Sequence, residues 1–262
     1  MPWLPVPDGK IFYQIEGSGP PVVLIHGLGS SLRDWEKQVP SFHRYFRVIS
    51  LDLRGHGRSV DCPGPYTIPR FADDAATLIQ FLEVGPVGVV GISLGGMVAF
   101  QLALDHPELV CRLVVVNALA SVHPSSWRVR CVIRQRIFMA RVMGMRWNGR
   151  VLGRKMFPAP GQAELREKFA RRWAENNPRV YMATLRGIYG WSVEELLPEL
   201  RCPTLVVAGE KDFIPVAEKE RYVGKLPAAT MEVIVDSGHA SPVDQPEVFN
   251  RMVIGYLKNA GC

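Results

Sequence analysis

Ser93 sits in Gly91-Ile92-Ser93-Leu94-Gly95-Gly96, a G-x-S-x-G pattern placed directly after a β-branched run and directly before a segment of helical spacing. Glycines two before and two after the serine remove the Cβ atoms that would collide as helix packs on strand. The strained turn between them presents Oγ at the carboxyl end of a parallel sheet, the edge where such sheets bind ligands. A serine hydroxyl is a weak nucleophile near neutrality and needs a base, itself oriented by an acid. Six histidines compete for the role of base. His239, in Asp236-Ser237-Gly238-His239, follows the last strand-like run and so falls on a loop at the same edge. Asp212, in Gly209-Glu210-Lys211-Asp212, follows the run Thr204 to Ala208, with Glu210 as its local competitor. The end of the preceding strand is the other place for an acid, and it holds the neutral Asn117. The order Ser93, Asp212, His239 is the one expected around a nucleophile elbow. It outweighs the plainer reading of a glycine-rich packing turn with an incidental serine.

His26-Gly27-Leu28-Gly29 follows another apolar run, Val22 to Ile25, and its loop can aim a backbone N–H toward the serine. Two such groups, from Leu28 and from Leu94, would form an oxyanion hole, each donor typically contributing a few kcal/mol in the transition state. His26 itself reads as a brace for that loop. His43, His106 and His123 have no partner pattern and read as surface or helix-end residues. Asp52 to Ser59 invites a phosphate-loop reading that fails, because Val60 breaks G-x-G-x-x-G and no G-x-x-x-x-G-K-[ST] occurs.

The elements that must position these residues alternate along the chain. Short runs at Val22–Ile25, Val48–Leu51, Val87–Gly91, Leu113–Val116, Thr204–Ala208 and Met231–Val235 are each followed by a plausible helix, which predicts a mostly parallel sheet covered on both faces. Helices are expected near Ser31–Ser41, Thr67–Glu83, Leu94–His106, Ala217–Leu226 and Pro246–Asn259. Trp3–Val6 and Lys10–Glu16 flank Asp8-Gly9, a hairpin dipeptide, so the sheet is expected to open with an antiparallel pair. Val84 to Leu104 has no charge over the length of a membrane span, but five glycines interrupt it, and strand, turn and helix explain it better. The alternation fails between about Leu119 and Leu200, where a helical insertion is expected: residues 1–118 and 201–262 form the core and 119–200 a lid.

With these pieces in place the chain resembles the α/β-hydrolase superfamily over almost its whole length. Asp52 to Ser59 is similar to that family's D-x-R-G-x-G-x-S loop, and the insertion falls where its members carry a helical lid. The resemblance implies the α/β-hydrolase fold, Ser93 as nucleophile, Asp212 as acid, His239 as base, and Leu28 with Leu94 as oxyanion donors. GISLGGM looks closest to the esterase, enol-lactonase and carbon–carbon-bond hydrolase group. Dehalogenases and epoxide hydrolases carry Asp at the nucleophile position, and Ser93 counts against both. The implied reaction is hydrolysis of an ester or lactone, with no metal and no organic cofactor. A carbon–carbon hydrolase using the same residues and a noncatalytic small-molecule receptor are the alternatives.

The net charge of +6 is local. Ser121 to Glu195 carries 15 Lys+Arg against 5 Asp+Glu, whereas the remainder is net acidic. Nine basic residues and no acidic ones lie between Arg128 and Lys155. A solvated basic face is the first reading, since charge runs usually face water. The sharper expectation is that Arg130, Arg134 or Arg141 lies at the pocket mouth and favours acidic substrates. No clean amphipathic face supports membrane-surface contact, and no nucleic-acid partner is expected. Five cysteines, Cys62, Cys111, Cys131, Cys202 and Cys262, with no C-x-x-C and no secretory leader in MPWLPVPDG, point to a reducing cytoplasm and no cysteine metal site. The sequence leaves the acyl chain, the leaving group and the oligomeric state open.

Overall fold

The structure is a computed structural model that describes residues 2–123 and 127–258. Its eight strands are β1 (Trp3–Val6), β2 (Gly9–Glu16), β3 (Pro21–Ile25), β4 (Arg47–Leu51), β5 (Val87–Ile92), β6 (Val110–Val116), β7 (Thr204–Gly209) and β8 (Ala229–Ile234). They form one sheet in the order β1-β2-β4-β3-β5-β6-β7-β8. The β1–β2 hairpin turns at Pro7-Asp8, one residue before the expected Asp8-Gly9, because Gly9 already pairs with Val6; β2 runs antiparallel to β4, while every pairing from β4 to β8 is parallel.

The β-branched runs form central strands because both of their faces are buried. Successive residues alternate between two cores: Val23, Ile25, Val89, Leu113 and Val206 face one side, and Val22, Leu24, Val90, Val114 and Leu205 the other. The first side is covered by α2 (Ile68–Phe81), α3 (Leu94–Asp105) and α8 (Val216–Val223) through residues such as Phe71, Phe100 and Tyr222. The second is covered by α1 (Val39–Phe42) and α10 (Pro246–Lys258) through Phe42, Phe249, Val253 and Leu257. Each fully buried side chain of this kind contributes about 1.5–3 kcal/mol. Val84–Leu104 is therefore β5, a turn and most of α3, and no helix among the described residues is long and apolar enough to cross a membrane.

Between β6 and β7 lie α4 (Trp127–Val142), α5 (Met145–Met156), α6 (Ala163–Trp173) and α7 (Pro178–Ile188), so this stretch is helical as expected. Positions 124–126, Asn259 and Cys262, and the side chain of Arg128, are outside the described residues. The expected helix over Ser31–Ser41 divides into a 3-10 turn, Leu32–Trp35, and α1. A continuous helix would bury Pro40 in its interior, where proline removes a hydrogen bond and clashes with the preceding turn; the chain restarts with Pro40 in the first turn of α1. The four-residue α9 (Ser241–Asp244), which follows His239, gave no sequence signal. Cys62, Cys131 and Cys202 are free, but Cys111 is disulfide-bonded, so the cysteine count does not carry the compartment read from it.

Candidate active site

The chain leaves β5 at Ile92 and enters α3 at Leu94 with Ser93 at φ 54° and ψ −114°, a conformation that a non-glycine residue keeps only where the surroundings impose it. The close approach of α3 imposes it. A Cβ on Gly91 would lie 2.1 Å from Gly95 O, and one on Gly95 would lie 2.1 Å from Ile25 O. Both glycines are therefore required for packing as well as for the turn. Leu94 is the first helical residue, so its N–H has no intrahelical acceptor.

His239 is buried on the loop after β8, and its Nδ1 lies 2.7 Å from Asp212 Oδ1. Asp212 Oδ1 also accepts the Ile214 N–H at 3.0 Å, and its other oxygen accepts from Lys219 Nζ at 2.6 Å. Lys219 and Asp212 side chains are both 0% exposed, and the lysine also donates to Ile214 O at 2.7 Å. Burial pushes the Asp212 carboxyl up, but the charges and hydrogen bonds of His239 and Lys219 outweigh it and hold the group below its ordinary range. Burial takes Lys219 below the ordinary lysine range against the pull of Asp212. Phe213 stacks on the His239 ring with centroids 4.3 Å apart. Glu210 is exposed and accepts the Asp236 N–H instead of meeting the histidine.

The His239 loop is tied down from β6. Asn117, at φ 46°, donates through Nδ2 to His239 O at 2.8 Å and to Ser241 Oγ at 2.9 Å, and its Oδ1 accepts the Gly209 N–H at 2.8 Å. The position that could have held an acid thus joins the Asp212 strand to the His239 loop. Asp244 accepts the Gly238 N–H at 2.7 Å from the other side.

His26 is a brace. Its Nε2 accepts the Leu53 N–H at 3.0 Å, which leaves the proton on Nδ1 to donate to Gly27 O at 2.7 Å, and burial drops its pKa to about 4. The Asp52 to Ser59 loop spends its polar groups internally. Asp52 accepts from Leu32 N and Arg58 N, Arg54 grips Asp74 with two bonds of 2.8 Å, and Ser59 Oγ accepts from Phe12 N.

Ser93 and His239 line one cavity of about 760 Å³ including its open mouth, with Leu28 and Gly29 on one wall and Met156, Phe157, Phe169 and Trp173 on another. Arg130, Arg134 and Arg141 are exposed on α4 and do not line it. The cations that do are Lys168 and Arg172 on α6, each 2.5 Å from a Glu36 oxygen. Asn176 adds a bond to Gly29 O at 2.6 Å, and Arg33 pairs with Glu175, so the end of α6 is fastened to the loop that follows β3. Among the described residues no cluster of three or more His, Cys, Asp or Glu could hold a metal ion.

Sequence reasoning missed Lys219, Asn117 as a tie, and the Glu36 cluster. Lys219 could have been sought as a cation one short helix beyond Asp212, but its segment, VAEKERYV, alternates charges with nothing to single it out. The others are contacts between distant segments and left no local mark.

Comparison with known proteins adds three kinds of likeness. The sequence model of the alpha/beta hydrolase family matches residues 22–252. A protein of Caulobacter vibrioides that carries the provisional name carbamate hydrolase RutD is 30% identical over 264 residues, 97% of each chain. Among solved structures, the enol-lactonase from Burkholderia xenovorans superposes with a TM-score of 0.89 at 25% identity, covering 98% of this chain and 100% of its own. A thermophilic esterase from Thermogutta terrifontis gives 0.85 at 30% identity, covering 95% and 93%.

Proposed function

The chain belongs to the alpha/beta hydrolase family, and from that premise we propose that it is a serine hydrolase cleaving a carboxylic ester or lactone through an acyl-enzyme intermediate. The observation that carries this is the strained Ser93 facing the same cavity as a histidine already held by a buried carboxylate. His239 takes the Ser93 proton as Oγ attacks the carbonyl carbon. The N–H groups of Leu28 and Leu94 hold the oxygen of the tetrahedral intermediate, and Asp212 keeps the imidazolium oriented and stabilised. The leaving oxygen receives the proton from His239. Water, deprotonated in turn by His239, then releases the acid and restores the hydroxyl.

The named activities of the relatives, on a carbamate, an enol-lactone and an ester, all place a heteroatom leaving group on an acyl carbon, and one attack serves the three. The mainly apolar cavity wall supports an acyl group of small or medium size. Hydrolysis of p-nitrophenyl esters together with fluorophosphonate labelling tests the reading. Ser93→Ala is expected to abolish both while leaving the melting temperature in place. Asp212→Asn is expected to lose up to about 10⁴-fold while Glu210→Gln stays near wild type. Retention of most ester turnover by Ser93→Ala refutes the assignment.

A further inference from the structure

The cavity holds a second carboxyl that acyl transfer does not use. Asp34, on the 3-10 turn after the His26 loop, lines it together with Ser93. A Cβ built on Gly27 would lie 3.6 Å from Ser93 Cβ and 4.0 Å from Asp34 Oδ2, so a single carbon spans most of the gap between nucleophile and carboxyl. The company Asp34 keeps is thin. Ser30 Oγ donates to Oδ1, and the Gly27 N–H reaches Oδ2 only at 3.4 Å. The charged groups that act on it are Arg172 and Glu36, in opposite senses, and Arg172 is already committed to Glu36. Burial therefore raises the Asp34 pKa to about 6.

A carboxylate kept in a mainly apolar cavity without a dedicated counter-ion is costly, and it has about four acceptor sites of which few are used. Bracing the loop does not account for it. His26 and Asn176 already hold that loop through Gly27 O and Gly29 O, and a neutral amide at position 34 could keep both neighbours without a charge, its Oδ1 accepting the Gly27 N–H and its Nδ2 donating to the Ser30 hydroxyl. A polar group placed beside the nucleophile in a mainly apolar pocket is what fixes a ligand's orientation.

We propose that Asp34 is the substrate's polar anchor, and that the preferred acyl groups carry a hydrogen-bond donor, a hydroxyl or an N–H, within two or three bonds of the scissile carbonyl. This rests on the hydrolase reading of Ser93. The donor would meet Asp34 Oδ2 while the carbonyl oxygen turns to the Leu28 and Leu94 N–H groups, which makes Asp34 a specificity residue with no part in bond making.

The test compares kcat/KM for p-nitrophenyl 3-hydroxybutyrate and p-nitrophenyl butyrate in the wild type and in Asp34→Ala, with the melting temperature of Asp34→Asn at pH 7.5 read alongside. The wild type is expected to favour the hydroxylated ester by about tenfold or more, the size of one hydrogen bond to a charged group. Asp34→Ala is expected to bring the ratio close to one, chiefly through KM, and Asp34→Asn to melt higher than wild type. A wild-type ratio near one, a ratio that survives Asp34→Ala, or a lower melting temperature in Asp34→Asn overturns the proposal and returns Asp34 to a bracing role. If neither ester is turned over and Ser93 is not labelled by fluorophosphonate, the hydrolase reading itself fails and this inference with it.

Discussion

Replacing Lys219 by Met should move the acidic limb of the pH–rate profile upward. Lys219 Nζ and His239 Nδ1 approach opposite oxygens of the same carboxylate, at 2.6 and 2.7 Å, so one anion is shared between a fixed cation and an imidazole that becomes cationic in the proposed reaction. Asp212 stays below the ordinary carboxylate range against burial because both cations act on it, and at an effective dielectric of about 20 a charge a few ångströms away contributes a few kcal/mol. Without the lysine one of those two contributions is lost and burial pushes the carboxyl up. Asp212 then takes up a proton at higher pH, and the proposed orienting anion is lost there. The groups facing the pair from neighbouring elements are Tyr222, which acts on Asp212 only as a neutral phenol, and Phe213, which carries no charge.

The expected result for Lys219→Met is an acidic limb of kcat/KM displaced to higher pH, with the plateau above it kept within about an order of magnitude because Asp212 retains His239 and the Ile214 N–H. Methionine nearly matches the volume, and a thermal melt establishes that the variant is folded. Lys219→Arg separates charge from shape: if it folds, its limb should stay near the wild-type position even where its plateau falls. A folded Lys219→Met enzyme whose limb does not move refutes the shared-anion argument and makes Lys219 a structural ion pair only.

Gly95→Ala should destabilise the fold by several kcal/mol or prevent folding, since its Cβ would stand 2.1 Å from Ile25 O and 2.6 Å from His26 O; a denaturant midpoint near wild type would show that α3 can shift away. Asp34 adds a pH dependence to stability: its folded pKa is about 6 against an ordinary 3.8, so its contribution is fully present below pH 4 and is lost as pH rises through 6, by about 3 kcal/mol. Melting curves from pH 4 to 8 should show that slope in the wild type and lack it in Asp34→Asn. The triple change of Arg130, Arg134 and Arg141 to Gln should leave ester turnover and its salt dependence within about twofold of wild type, because those side chains stand in solvent away from the cavity. A large loss would bring α4 back into the site.

What the sequence made legible is what one short segment had to do alone. The elbow needs its glycines because β5 and α3 touch within five residues, and the same five residues announce it. Asp212 and His239 each follow a β-branched run whose burial on both faces fixes where its carboxyl end lies, so chain order was enough to bring them to one edge. The charges on the helices between β6 and β7 obeyed no such rule. Counting arginines over Arg128–Lys155 measured how much charge the segment carries, but which cations reach the cavity depends on how four helices are laid over it. α4 packs on α5 and α7 and leaves Arg130, Arg134 and Arg141 in solvent, whereas α6 crosses the mouth and places Lys168 and Arg172 on Glu36, more than 130 positions earlier in the chain. Lys219 was hidden for a related reason: a lysine in a polar helix reads as solvated until the loop before it is seen to fold a buried carboxylate beneath it. Local necessity wrote Ser93, Asp212 and His239, the proposed nucleophile, acid and base, into the sequence. The groups around them, Lys219, Asp34 and the Glu36 cluster, take their places from pairings between segments, and a pairing becomes visible only when both partners are placed.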